Sequence, residues 1–143
     1  MVENDIVIVK NNEGFETKIY SGNHVWNADE PVSAGGTDTG PTPYDLLLSS
    51  LGSCKAITMR MYASRKNIPL EAVTIKLSQK KIYAEDCSNC ETKEGKIDSI
   101  NIEISFVGNL TNEQKESLIN IADKCPIHKT LTSEIQIKSS LAD

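Results

Sequence analysis

The chain has 143 residues, 38% of them hydrophobic and 24% charged, a balance that suits one compact α+β domain over residues 1–143. A chain of this length buries most of the surface it exposes when unfolded, so it needs no disulfide staples. A net charge of -5 weighs against nucleic acid and anionic membranes as partners, because both select basic surfaces.

Asp5 to Lys10 reads as a strand by its alternating Ile and Val. The Asn11-Asn12-Glu13-Gly14 turn leads into Phe15, Thr17 and Ile19 at period two, and Ser21-Gly22-Asn23 leads to a short strand near Val25 and Trp26. Ala28 to Thr42 is rich in Gly, Pro, Thr and Asp and reads as a loop. Its glycine run lacks the Gly-Lys-Ser/Thr ending of a phosphate loop, and its expected role is a flexible rim at the entrance to Cys54. Thr42-Pro43-Tyr44-Asp45 starts a helix, with Thr42 as N-cap, Pro43 at the first position and Asp45 completing a capping box. The helix should run to about Lys66. It carries no charge from Leu46 to Cys54, which predicts burial nearly all round and, in a domain this small, a partner subunit to supply it.

Val73, Ile75 and Leu77 form a strand that resumes at Ile82 and Tyr83 after an irregularity near Gln79. Ile100, Ile102, Ile104 and Phe106 form the strongest strand. The polar loop from Glu85 to Lys96 holds Cys87 and Cys90. Thr111 and Gln114 make a second capping box, and Leu118, Ile121 and Ala122 give the following helix its apolar stripe. Pro126 disfavours helical geometry at Cys125, so one helix stops there and a short one begins. Ile135 and Ile137 predict a closing strand.

Met1 to Lys10 lacks the long apolar core of a secretory signal, and the run Leu46 to Met59 is too short for a bilayer and contains Lys55. These features predict a cytoplasmic protein. Its four cysteines are then expected as thiols with catalytic or metal-binding roles.

Cys54 can be read as a small hydrophobe in a buried helix or as a reactive thiol. Cys125 can be read as the last residue of a helix, or as the N-cap of the next, where amide donors would lower a thiol pKa. Gly40-Pro41-Thr42-Pro43-Tyr44-Asp45-Leu46-Leu47-Leu48, leading to Leu51-Gly52-Ser53-Cys54, together with Asp123-Lys124-Cys125-Pro126, resembles the OsmC/Ohr superfamily of osmotically inducible and organic hydroperoxide resistance proteins. Ala84-Glu85-Asp86-Cys87-Ser88-Asn89-Cys90-Glu91 and Cys125-Pro126-Ile127-His128 resemble a particular OsmC-like branch. The resemblance implies an OsmC-like fold of antiparallel sheets with long central helices, in an intertwined homodimer with active sites at the subunit interface. It also implies a thiol peroxidase that uses no cofactor. Cys54 attacks an organic hydroperoxide and becomes a sulfenate, Cys125 resolves the sulfenate to a disulfide, and an external dithiol reduces the disulfide.

The chain departs from the family's peroxidases in one respect. Where they place a glutamate after the proline to order an arginine, this chain has Tyr44, and no arginine precedes Arg60. Arg60 lies roughly 240° round the helix from Cys54, and Arg65 roughly 16 Å along it, so neither reaches Cys54 within one chain. Lys18 and Lys129 are the candidate replacements.

Cys87, Cys90, Cys125 and His128 could instead supply three thiolates and an imidazole to a zinc ion. That reading competes with the peroxidase cycle, because a metal-bound Cys125 cannot resolve a sulfenate. Cys87 and Cys90 also read as plain exposed thiols or as a redox-active dithiol. His24 reads as structural, and His128 as a surface residue or a group that polarises Cys125. The alternative function is a non-catalytic or zinc-binding OsmC-like protein that holds a small apolar ligand at the dimer interface.

Overall fold

Three short antiparallel strands, β1 (Ile8–Asn11), β2 (Thr17–Ser21) and β3 (His24–Ala28), make a sheet in that order. The computed structural model describes residues 6–142, so Asp5 of the predicted first strand lies outside the described residues. The β1–β2 turn is held by Asn11, whose Nδ2 donates to the Gly14 carbonyl at 2.9 Å and the Glu16 carbonyl at 3.1 Å, while Gly14 takes a φ of 62°. These strands belong to a first compact unit that ends at Leu47; a second begins at Leu48.

The loop after β3 is tied down rather than loose. Asp29 is buried and accepts from the hydroxyls of Thr37 at 2.6 Å and Thr39 at 2.8 Å and from the Glu30 amide at 2.7 Å. The Thr37 hydroxyl is the largest of the donors that hold its carboxyl well below the usual carboxylate range. Gly36 and Gly40 lie so close to the backbones of Glu30 and Asn27 that neither position admits a Cβ.

Helix α1 (Pro43–Arg65) starts as expected: Asp45 N donates to Thr42 Oγ1 at 3.1 Å and Thr42 N to Asp45 Oδ2 at 3.0 Å. It ends where Asn67 takes a left-handed φ of 55° and Ile68 N reaches back to the Ala63 carbonyl at 2.9 Å. Leu51, Lys55, Met59 and Ala63 make one buried stripe at helical spacing, while Ser49, Ser53, Ile57 and Met61 are exposed. Among the described residues, one face of this helix is covered and the opposite face is exposed.

The second unit also holds the hairpin of β4 (Ala72–Tyr83) and β5 (Lys96–Val107), paired from Ala72↔Val107 to Tyr83↔Lys96. The predicted break at Gln79 does not occur. Gln79 pairs with Ile100 in unbroken register, because ladder hydrogen bonds come from the backbone and do not require an apolar side chain. Helix α2 (Asn112–Ala122) opens on the predicted Thr111–Gln114 capping box, and α3 (Pro126–Leu131) follows Cys125. Met59 and Ala63 of α1 pack with Leu70 and with Leu118 and Ala122 of α2 to form the core, flanked by Val73, Ile75, Ile104 and Phe106 of the hairpin. The predicted closing strand is absent. Residues 133–142 have no regular structure, and Ile135 and Ile137 are exposed, because β-propensity makes no strand without an edge to pair with. No helix of the described residues is long and apolar enough to cross a membrane.

Candidate active site

The site lies within the second unit, where α1 meets the junction of α2 and α3. Gly52 brings α1 close to β4: a Cβ there would stand 2.7 Å from Leu77 Cδ1. Half a turn on, Cys54 is half-buried. Cys125 is fully buried, and the Cys54 thiol is near enough to influence its ionisation. Two thiols distant in sequence are therefore neighbours.

The local reason lies in the Cys125-Pro126 step. Cys125 takes extended geometry (φ -65°, ψ 147°), as a residue before proline should, and α3 begins at Pro126. This makes Cys125 the N-cap, with its Sγ accepting from the His128 amide at 3.3 Å. Burial is nevertheless the largest influence and pushes the Cys125 thiol pKa up. The His128 amide and the charge of Lys55 oppose that rise, while the hydrogen bond and the charge of Cys54 add to it. Cys125 is therefore held as a protonated thiol at neutral pH, and Cys54 is the more accessible of the two sulfurs.

Lys55 is the residue that sequence reasoning missed. It follows Cys54 directly, its side chain is 1% exposed, and its Nζ lies 3.1 Å from the Ala122 carbonyl, 3.2 Å from Asp123 Oδ1 and 2.8 Å from His128 Nδ1. Its one sequence signal is a charge inside the otherwise apolar run from Leu46 to Met59. The arginines stand apart, as helical geometry required. Arg60 donates to the Leu70 and Glu71 carbonyls, and Arg65 lies over the Tyr62 ring. Lys129 is exposed on α3, and His24 is exposed on β3.

Cys87 and Cys90 are joined in a disulfide in the β4–β5 loop, so the reading of two exposed thiols is corrected. Among the described residues no three or more His, Cys, Asp or Glu side chains gather in a way that could hold a metal ion. The four residues of the zinc reading do not come together, since Cys125 and His128 engage Cys54 and Lys55 instead.

A family model described as OsmC-like protein matches residues 36–140. No curated protein matches the chain. Among solved structures, the chain is similar to an OsmC-like protein from Mycoplasma pneumoniae, with 20% identity and a TM-score of 0.72 over 92% of this chain and 89% of that one. It is also similar to the organic hydroperoxide resistance protein OhrB of Bacillus subtilis, with 19% identity and a TM-score of 0.62 over 94% and 95% of the two chains. An organic hydroperoxide resistance protein from Elizabethkingia anophelis gives 14% identity and a TM-score of 0.65 over 95% and 93%. At these identities the likeness is one of fold.

Proposed function

For a chain that belongs to the OsmC-like family, we propose a thiol-dependent reduction of organic hydroperoxides, with Cys54 as the attacking sulfur and Cys125 as the resolving one. The observation that carries this reading is the meeting of Cys54 with Cys125 across the α1–α3 contact. The two environments suit the two roles: an accessible sulfur for the substrate, and a shielded thiol that waits for the oxidised product.

In the first step the Cys54 thiolate attacks the distal oxygen. An S–O bond forms, the O–O bond breaks, and the alkoxide leaves with a proton as the alcohol. In the second, Cys125 attacks the Cys54 sulfenic acid, releasing water and leaving a Cys54–Cys125 disulfide. An external dithiol then returns both residues to thiols by exchange. The working unit in this reading is a homodimer, which would cover the face of α1 that one chain leaves exposed.

The direct test adds one equivalent of tert-butyl hydroperoxide to the reduced protein and maps disulfides by mass spectrometry. A linked pair of peptides containing Cys54 and Cys125, with loss of two thiols and release of one alcohol, is expected. Both thiols remaining free after exposure to excess hydroperoxide would refute the reading.

A further inference from the structure

The two-cysteine cycle leaves one buried charge unexplained, that of Lys55. An ammonium withdrawn this far from water persists only where partners replace its hydration. Here its three N–H donors meet three acceptors, the Ala122 carbonyl, Asp123 Oδ1 and His128 Nδ1, all within three residues of Cys125. Packing alone does not account for a lysine at this place, since an apolar side chain of like volume commonly serves a core as well or better.

We propose that Lys55 is a positioning residue of the resolving step: its three bonds hold the Cys125 turn against Cys54, and its charge favours the Cys125 thiolate that attacks the Cys54 sulfenic acid. The inference rests on the peroxidase reading of the two cysteines. In that step Cys125 gives up its proton, its lone pair forms the S–S bond, the S–O bond of Cys54 breaks, and hydroxide leaves with the proton as water. No further oxidant is needed.

The timing follows from the same contacts. Before oxidation a charge on Cys54 opposes ionisation of Cys125. Once Cys54 is a neutral sulfenic acid that opposition is gone, while the Lys55 charge and the His128 amide remain. The charged or titratable side chains that meet Lys55 or Cys125 are Cys54 on α1, Asp123 at the end of α2 and His128 on α3. Asp123 is largely exposed and offsets part of the Lys55 charge.

The experiment follows two rates separately in the wild-type protein, Lys55→Met and Asp123→Asn, from about pH 6 to about pH 10, a span that brackets an ordinary thiol. Trapping with a cyclic dione reports Cys54 sulfenate, and mass spectrometry reports the Cys54–Cys125 disulfide. In Lys55→Met the disulfide step should move to higher pH by about one unit, so that it is about tenfold slower at neutral pH yet recovers in alkali. In Asp123→Asn it should move the other way. Sulfenate formation should change little in either variant.

A merely structural lysine would lower the rate at every pH and leave the profile in place; that result, or profiles that coincide with wild type, overturns the inference. Should Lys55→Met fail to fold by circular dichroism, the downward shift in Asp123→Asn decides alone. Absence of sulfenate and disulfide in the wild-type protein sinks the peroxidase reading itself, and this inference with it, before any variant is compared.

Discussion

Lys55 Nζ and His128 Nδ1 stand 2.8 Å apart although 73 residues separate them. An ammonium has donors only, so in this contact Lys55 donates and Nδ1 accepts. The same residue donates its backbone amide to Cys125 Sγ. The turn that presents Cys125 is thus fastened, through His128 and the Ala122 carbonyl, to the residue next to Cys54. A single side chain links the backbone positions of both sulfurs.

The unequal exposure of those sulfurs predicts unequal reactivity. Cys54 is half-buried, whereas Cys125 is fully buried with its thiol pKa raised by that burial. Iodoacetamide at neutral pH should label Cys54 first and Cys125 at least about tenfold more slowly, since the thiolate is the reacting form. The difference should vanish in denaturant. Peptide mapping that found the reverse order in the native protein would reject Cys54 as the attacking sulfur.

The raised thiol also makes a stability prediction. Below its ordinary value of 9.0, Cys125 is protonated whether the chain is folded or not, and it adds no pH dependence. Above 9.0 the unfolded chain releases the proton while the folded chain keeps it, so stability falls as pH rises toward the folded value. The slope is at most about 1.4 kcal/mol per pH unit for one proton. Urea melts of the reduced protein across this window, compared with Cys125→Ser, should show a steeper decline in the wild-type chain. Parallel curves would mean that Cys125 titrates alike in both states.

What the sequence made legible is what depends on neighbours along the chain. The Thr42–Asp45 and Thr111–Gln114 capping boxes need only residues three apart, and both form. The Cys125-Pro126 break is equally local. Lys55 was hidden because its partners lie beyond residue 121, and a lysine in mid-helix otherwise looks like any solvated one. Asp29 was hidden because a carboxylate in a Gly/Thr-rich loop gives no hint that Thr37 and Thr39 fold back on it. Ile135 and Ile137 misled for the opposite reason: alternation describes what a segment could pair with, and no partner strand meets them.

The Cys87–Cys90 disulfide closes a loop of four residues at the end of a hairpin already paired from Ala72↔Val107 to Tyr83↔Lys96. Loop-closure entropy for so short a ring amounts to about 2 kcal/mol. The double substitution Cys87→Ser, Cys90→Ser should therefore cost about 2 kcal/mol or less in chemical denaturation. It should leave the rate of Cys54–Cys125 disulfide formation with hydroperoxide unchanged, because neither residue belongs to the site described above. A large fall in that rate would mean that this pair passes electrons to the buried one and that the cycle has three participants.

Ile57 and Met61 stand one turn apart on α1, 59% and 66% exposed, on the side away from the buried stripe of Leu51, Lys55 and Met59. Covering a side chain of this size is worth about 1.5–3 kcal/mol, and a partner helix offers that coverage for both copies at once. Sedimentation at micromolar concentration should therefore find a dimer, and Ile57→Asp with Met61→Asp should convert it to a monomer by placing two like charges where the apolar faces met. Monomeric wild-type protein, or a double variant that still dimerises, would remove α1 from any subunit interface. In the second case the contact would have to be sought on other exposed apolar residues, among them Ile135, Ile137 and Leu141, which have no regular structure in the single chain.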